Sequence, residues 1–298
     1  MFPFGKFVKV AMHKANKAQL TTWLNNNAPI ELPHISSSKE FKATQFQSQL
    51  VAFNNLHNWD SSFLHPCFVL MLGLEQQVMA LSHPASPFSA FGMIQTENCI
   101  SLTSPVHNGD LTLHCQLAAI RPCARGFLVD IEVSAIQLGR CSFTAVSTYL
   151  YKMDLQHTPN EATVYSPMET NSSTSEAQGE AILCFEENVG RKYARISKDF
   201  NPIHLYPWSA KLFGYQHPIA HGMHMLALVL SKLAKRISLP EIPTHITNQF
   251  IYPASLPCAT NLNFSGDLFS NDALSFRLIN PKASSRKQTV LAGKITHY

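Results

Sequence analysis

Two apolar stretches constrain this chain more than any other feature: PCFVLMLGLEQQVMALS at residues 66–82 and GMHMLALVLSKLAKRIS at residues 222–238. Each is helical in composition and apolar on nearly all faces, so it must be surrounded by other structure instead of lying on a surface. Each leads into a run with a proline and a second turn residue four places on: Pro105 with Gly109, and Pro253 with Pro257. Strand-like segments follow in both cases. LTLHCQLAAI, GFLVDIEVSAI and CSFTAVSTYLY come after the first helix, and ATNLNF, ALSFRLI and TVLAGKITHY after the second. Alternation and β-branched content support strands, with turns at Arg-Gly, Leu-Gly-Arg and Asn-Pro. A buried helix followed by an antiparallel meander, twice, reads as two copies of one α+β unit. A curled antiparallel sheet is an economical wrapping for such a helix, and two sheets edge to edge would form a pseudo-dimer within one chain, with a cleft between the halves.

The boundary between the units is expected in QHTPNEATVYSPMETNSSTSEAQGE, residues 156–180, which is rich in Ser, Thr, Asn, Glu and Pro and lacks apolar periodicity. The organisation predicted is a first unit over 1–155, a linker over 156–180 and a second unit over 181–298. Residues 1–40 are assigned no function; WLNNNAPIELPHISSSKEF, residues 23–41, reads as loop and edge structure, an arm across the first half.

Composition excludes several classes. A net charge of +4, with Lys and Arg scattered, is too mild to indicate nucleic acid. The apolar N-terminal residues are interrupted by basic ones, which makes a poor signal peptide, and no uninterrupted apolar run is long enough to span a bilayer. Seven cysteines, none in a CxxC pair and mostly within strand-like runs, read as small buried thiols in a reducing compartment. The cytoplasm is the expected location.

The chemistry concentrates in SKDFNPIH, residues 197–204, where Asp199 and His204 flank Asn201 and Pro202. An acid and an imidazole this close are candidate working groups. Proline disfavours helix at Asn201, and Asn suits a turn, so the pair would set the turn that aims both side chains. Read alone, Asp-x-Asn-Pro is more simply a helix-entry turn with an Asx cap. Further on, Ala-His-Gly-Met at 220–223 opens the second apolar helix. There the N–H of Gly222 and the positive end of the helix dipole could meet a developing oxyanion, glycine allowing a close approach. His221 is read as packing and hydrogen-bonding at the helix start. His217, His221 and His224 include a pair four residues apart, yet Pro218 and Gly222 interrupt any aligning helix and no HExxH is present, so no metal is expected. His57, His65 and His107 have no Asp-x-Asn-Pro partner and read as structural or exposed.

The run RKYARISKDFNPIHLYPWSAKLFGYQHPIAHGMHM, residues 191–225, resembles the hydratase 2 motif of the MaoC-like acyl dehydratases: Asp-x-Asn-Pro-apolar-His, then Pro-x-x-His-Gly-Met. Residues 65–120 look like the degenerate first half of the family's two-hot-dog members. The resemblance implies a double hot-dog fold acting on acyl thioesters by reversible hydration of trans-2-enoyl-CoA, or the acyl-carrier-protein thioester, to the (R)-3-hydroxyacyl thioester. Asp199 and His204 would be catalytic, with Asn201, His221 and Gly222 as oxyanion and substrate-binding residues. Asp199 and His204 would hold one water between them, in either division of the roles of base and proton donor to C2. The first half would bind the acyl chain. No cofactor is called for, a homodimer is compatible with the pattern, and fatty acid metabolism is the implied setting. An acyl-CoA thioesterase of the same fold and a non-catalytic acyl-thioester binding protein are the alternatives. One departure stands out: relatives commonly carry Gly before the Asp, and this chain has Lys198, expected to be a solvated lysine in an ordinary backbone region.

Overall fold

The computed structural model describes residues 13–25, 30–90, 92–153, 179–239, 241–268 and 273–297. The linker expected at 156–180 lies outside them apart from its last two residues, which open a strand. The first half contributes α1 (Lys17–Asn25), β1 (Ser36–Phe41), α2 (Ala43–His57), α3 (Pro66–Leu72), α4 (Leu74–Leu81), β2 (Ile94–Leu102), β3 (Leu111–Cys123), β4 (Gly126–Gln137) and β5 (Arg140–Lys152). The second contributes β6 (Gly179–Phe185), α5 (Val189–Ser197), a 3₁₀ turn (Pro202–His204), α6 (Pro207–Lys211), α7 (Gly222–Ile237), β7 (Thr244–Phe250), β8 (Cys258–Asp267), β9 (Ala273–Ile279) and β10 (Thr289–His297).

All ten strands form one antiparallel sheet in the order β1-β3-β4-β5-β2-β7-β10-β9-β8-β6. Read inward from either edge the halves are the same: β1-β3-β4-β5-β2 matches β6-β8-β9-β10-β7. The duplication expected from the letters is thus a duplication of topology, and β2 paired with β7, Asn98 opposite Asn248, is the seam. The three β3, β4 and β5 segments, and β8, β9 and β10, lie where alternation places them. Their reversals include Leu138-Gly139 with both φ positive (52° and 74°), which suits a tight hairpin.

Each curl of sheet encloses its apolar helix. All seven residues of α3 are buried, and α7 is buried at Met225, Leu226, Ala227, Val229 and Leu230. Burying them stabilises the fold by about 25 cal/mol per Å² of apolar surface removed from water. The continuous helix expected over 66–82 is instead broken at Gly73, whose N–H turns back to Leu70 C=O at 3.1 Å. A Cβ at Gly73 would stand 3.1 Å from Val133 Cγ1, so β4 crosses closely at the break. The sequence also gave no sign of α2, whose buried Phe46, Leu50, Phe53 and His57 form one face, nor of α5 or β6.

Two further expectations are corrected. Residues 23–25, expected as loop, are instead the end of α1, a helix anchored by the fully buried Leu20, while β1 is the anticipated edge. Buried thiols are found at Cys67, Cys115 and Cys123, whereas Cys141 and Cys184 are exposed and Cys99 and Cys258 half-buried, because several strand positions face outward or lie on the edge strand β6. No helix among the described residues is long and apolar enough to cross a membrane.

Candidate functional site

The turn after α5 begins with a residue in the left-handed region. Lys198 caps the helix at φ 65°, ψ 13°, its N–H bonded to Ala194 C=O at 2.9 Å. The ordinary backbone region expected for it is therefore not what it adopts. A helix C-cap of this kind favours glycine, and a β-carbon there costs roughly 1–2 kcal/mol. The exposed Nζ bonds Arg195 C=O at 2.6 Å.

Asp199 and Asn201 then build two successive Asx turns. Asp199 Oδ1 accepts from Asn201 N–H at 3.1 Å and Asn201 Oδ1 from Ile203 N–H at 3.4 Å. Pro202 opens the 3₁₀ turn that carries His204 into the interior. Asn201 thus acts through the turn, as its place beside proline suggested.

His204 is 8% exposed, and its Nδ1 lies 2.8 Å from Ile219 C=O. A carbonyl only accepts, so Nδ1 carries the proton and Nε2 the lone pair. Burial lowers the His204 pKa, opposed by the charge of Asp199 and by the Ile219 bond. A neutral imidazole with a free basic nitrogen results. His221 is stacked on it, ring centroids 3.7 Å apart, and its Nε2–H donates to Asp199 C=O at 3.2 Å. Burial drives the His221 pKa well below its usual range, and His204 adds to the effect.

Asp199, His204 and His221 each offer one ligand atom within 4.8 Å of the others. The metal trio weighed from the sequence is a different one: His217 is exposed, and Asp199 and His204 take the places of His217 and His224 beside His221. His221 Nε2, however, spends its proton on a carbonyl and offers no lone pair there, which leaves two ligands, too few for a closed site. A water hydrogen-bonded to two groups spans about this separation.

His221 is also the N-cap of α7, and Gly222 is the first helical residue. Glycine is required at that point by packing: a Cβ would lie 2.8 Å from the Phe250 ring. The close approach expected of a ligand is thus made by an aromatic side chain, while the first-turn N–H groups remain the positive end of a sixteen-residue helix.

Asp199 and Asn201 face a cavity of about 370 Å³. Its walls come from both halves: Leu74 and Val78 of α4, Met93, Ile94 and Lys152 from the first, and Lys198, Phe200, Pro202, Ile203, Phe213 and Tyr215 from the second. The break at Gly73 directs α4 along this wall.

Several neighbours escaped the sequence reading. Tyr149 donates to Gln77 Oε1 at 2.9 Å, and burial together with the charge of Asp199 raises its pKa. The buried Tyr193 ring lies 4.9 Å from His221 and 5.3 Å from His224. His224 Nδ1 meets His57 Nε2 at 2.9 Å, and His57 Nδ1–H donates to Phe53 C=O at 2.8 Å, so α2 and α7 are joined by a hydrogen bond between two buried imidazoles. His65 donates to Ala227 C=O at 3.2 Å and caps α3. His57 and His65 are structural, and His107 is exposed. An aromatic or histidine in an apolar run gives no sequence signal of which partner it meets across the seam.

Residues 160–255 match the model of the MaoC-like domain family. The chain is 32% identical over 177 residues to 3-hydroxyacyl-thioester dehydratase X of Mycobacterium tuberculosis, a match covering 59% of this chain and 60% of that protein. The chain therefore spans about three fifths of the length of this curated relative. In structure it is similar to HtdX of the same organism, with TM-score 0.71 and 21% identity over 89% of this chain and 100% of that one. A MaoC-like dehydratase from Phytophthora capsici superposes with TM-score 0.70 at 13% identity, covering 89% and 95%. The architecture of sheet and enclosed helices is the double hot-dog.

Proposed function

We propose that this chain, whose residues 160–255 match the MaoC-like domain family, is a hydro-lyase of that kind: it reversibly hydrates trans-2-enoyl-CoA, or the acyl-carrier-protein thioester, to the (R)-3-hydroxyacyl thioester. The observation that carries this reading is the locked tautomer of His204. Its Nδ1–H is held by Ile219 C=O, so a basic Nε2 remains beside the carboxylate of Asp199.

A water held between Asp199 and His204 gives its proton to His204 Nε2 as its oxygen attacks C3 of the enoyl thioester. Negative charge then develops on the thioester oxygen, where the Gly222 N–H and the α7 dipole stabilise it. A proton delivered to C2 from the Asp199–His204 pair completes the addition. Atoms balance: one water enters and one 3-hydroxyacyl thioester leaves. Burial keeps His204 neutral and ready to accept a proton, and no step requires a cofactor. Asn201 holds Asp199 through the turn, and His221 holds the Asp199 backbone.

The first half, residues 1–155, is assigned the acyl chain, since α4 and residues 93–94 wall the cavity; residues 156–180 link it to the catalytic half, 181–298. A location in the cytoplasm and a role in fatty acid metabolism complete the assignment, with which a homodimer is compatible.

The test is to incubate the protein with crotonyl-CoA and a longer trans-2-enoyl-CoA while following the enoyl-thioester absorbance and free thiol. Loss of absorbance without thiol release, with (R)-3-hydroxyacyl-CoA on chiral analysis, is expected. Thiol release would instead identify a thioesterase, and binding with neither change a non-catalytic protein.

A further inference from the structure

Ten large hydrophobic side chains are exposed among the described residues, and five of them, Phe200, Tyr206, Trp208, Leu212 and Phe213, come from residues 200–213. Scattered exposed apolar groups are ordinary; a concentration of this kind marks an interaction surface. Its construction follows from α6. Ser209 Oγ bonds Pro202 C=O at 2.7 Å, and Ser209 and Ala210 are buried against the catalytic turn. Trp208, Lys211 and Leu212, at helical spacing, are thereby turned to solvent, Trp208 at 68% and Leu212 at 76% exposure. Tyr206 stacks on Trp208, and the Arg191 guanidinium lies 5.0 Å from the Tyr206 ring centroid.

The segment that carries this patch is short of acids. From residue 188 to residue 240 the chain has a single acid, Asp199, against eight lysines and arginines. Asp199 faces the cavity. Arg195, Lys198 and Lys211 are exposed, and none has a carboxylate partner among the described residues. Protruding Trp, Leu and Phe among unpaired cations suit the boundary of an anionic bilayer, where the rings enter the headgroup layer and the cations meet lipid phosphates.

We propose that residues 200–213, with Arg195 and Lys198, dock this protein onto an anionic lipid surface. Two other occupants fit less well. A second copy placed symmetrically on the patch would bring the cations of the two copies together without an acid to offset them. An acidic protein would answer the charges, but the outermost groups are Leu212 and Trp208, which a charged surface would leave unsatisfied. Phe200 and Phe213 belong both to the patch and to the cavity wall, so a ligand tail dissolved in the bilayer would enter the cavity without crossing water. That last point rests on the acyl substrate proposed above; docking does not.

The experiment is co-sedimentation of the full chain with sucrose-loaded vesicles of phosphatidylcholine, with and without phosphatidylglycerol, alongside a Trp208→Ser/Leu212→Ser variant. Neither residue lines the cavity, and both are exposed, so the variant is expected to keep wild-type circular dichroism and solution mass. Wild type should sediment with the phosphatidylglycerol vesicles, and lose that binding in high salt. The variant should bind roughly tenfold more weakly or less, the effect of removing two inserted apolar side chains. The proposal is overturned if wild type stays in solution with anionic vesicles or if the variant binds as well as wild type. It is also overturned if wild type is a dimer that the two substitutions convert to a monomer, which would make the patch a subunit contact.

Discussion

Lowering the pH from 7 to 5 should destabilise this protein through histidines kept neutral in its core. Five histidines, His57, His65, His204, His221 and His224, are buried. Burial holds His57 at about 4 against a usual value of 6.5. Between these values the unfolded chain binds the proton and the folded chain does not, so stability rises with pH across the window. The His57 contribution is full above about pH 6.5 and is lost as pH falls toward 4. From these two values the loss is about 2 kcal/mol at pH 5 and about 3 kcal/mol at pH 4. His65, His204, His221 and His224, also lowered by burial, add in the same direction. Urea unfolding at pH 7, 6 and 5, for wild type and His57→Gln, measures the effect. The wild-type free energy should fall steeply, and its advantage over His57→Gln should narrow by about 2 kcal/mol between pH 7 and pH 5. A wild-type stability flat across this interval would refute the reasoning, because the imidazoles would then be hydrated or already paired with charge.

Three further outcomes follow from single positions. Lys198→Gly removes a β-carbon from a φ of 65° and should raise the urea-derived stability by about 0.5–1 kcal/mol after the entropy of glycine is counted; a loss of stability would contradict the assigned backbone strain. Gly222→Ala drives a methyl group into the Phe250 ring and should lower kcat on an enoyl thioester roughly 100-fold through displaced N–H groups. Adding Phe250→Leu should recover most of the loss, and failure of that rescue would mean that the contact does not set the helix start. Chelation with EDTA should leave the hydration rate unchanged, since His221 Nε2 is committed to Asp199 C=O; a rate restored only by a divalent ion would reassign Asp199 and His204 as ligands.

How much of this was legible in the letters depends on the range of the interaction. The hairpins were legible because alternation and turn residues act locally: Leu138-Gly139 and the run ALSFRLI lie as strand and turn chemistry dictate. The motif around Asp199 was legible for the same reason, as its Asx turns are closed within five residues. The two-helix pattern led to the double topology because helices apolar all round need a sheet around each. What remained hidden is non-local. The hydrogen bond from Ile219 that sets the His204 tautomer, the His57–His224 bond across the halves and the Asn98–Asn248 pair at the seam join segments far apart in the chain. The close packing of Gly73 against Val133 was invisible because Val133 belongs to another element.

The most direct measurement is the initial rate of hydration of a trans-2-enoyl-CoA by wild type, Asp199→Asn and His204→Gln, with folding checked by circular dichroism. Wild type should turn the substrate over, and kcat should fall about 10³-fold or more for each variant with folding retained, as loss of a positioned acid–base group requires. Variants that stay folded and hydrate the substrate at the wild-type rate would contradict the catalytic roles of both residues.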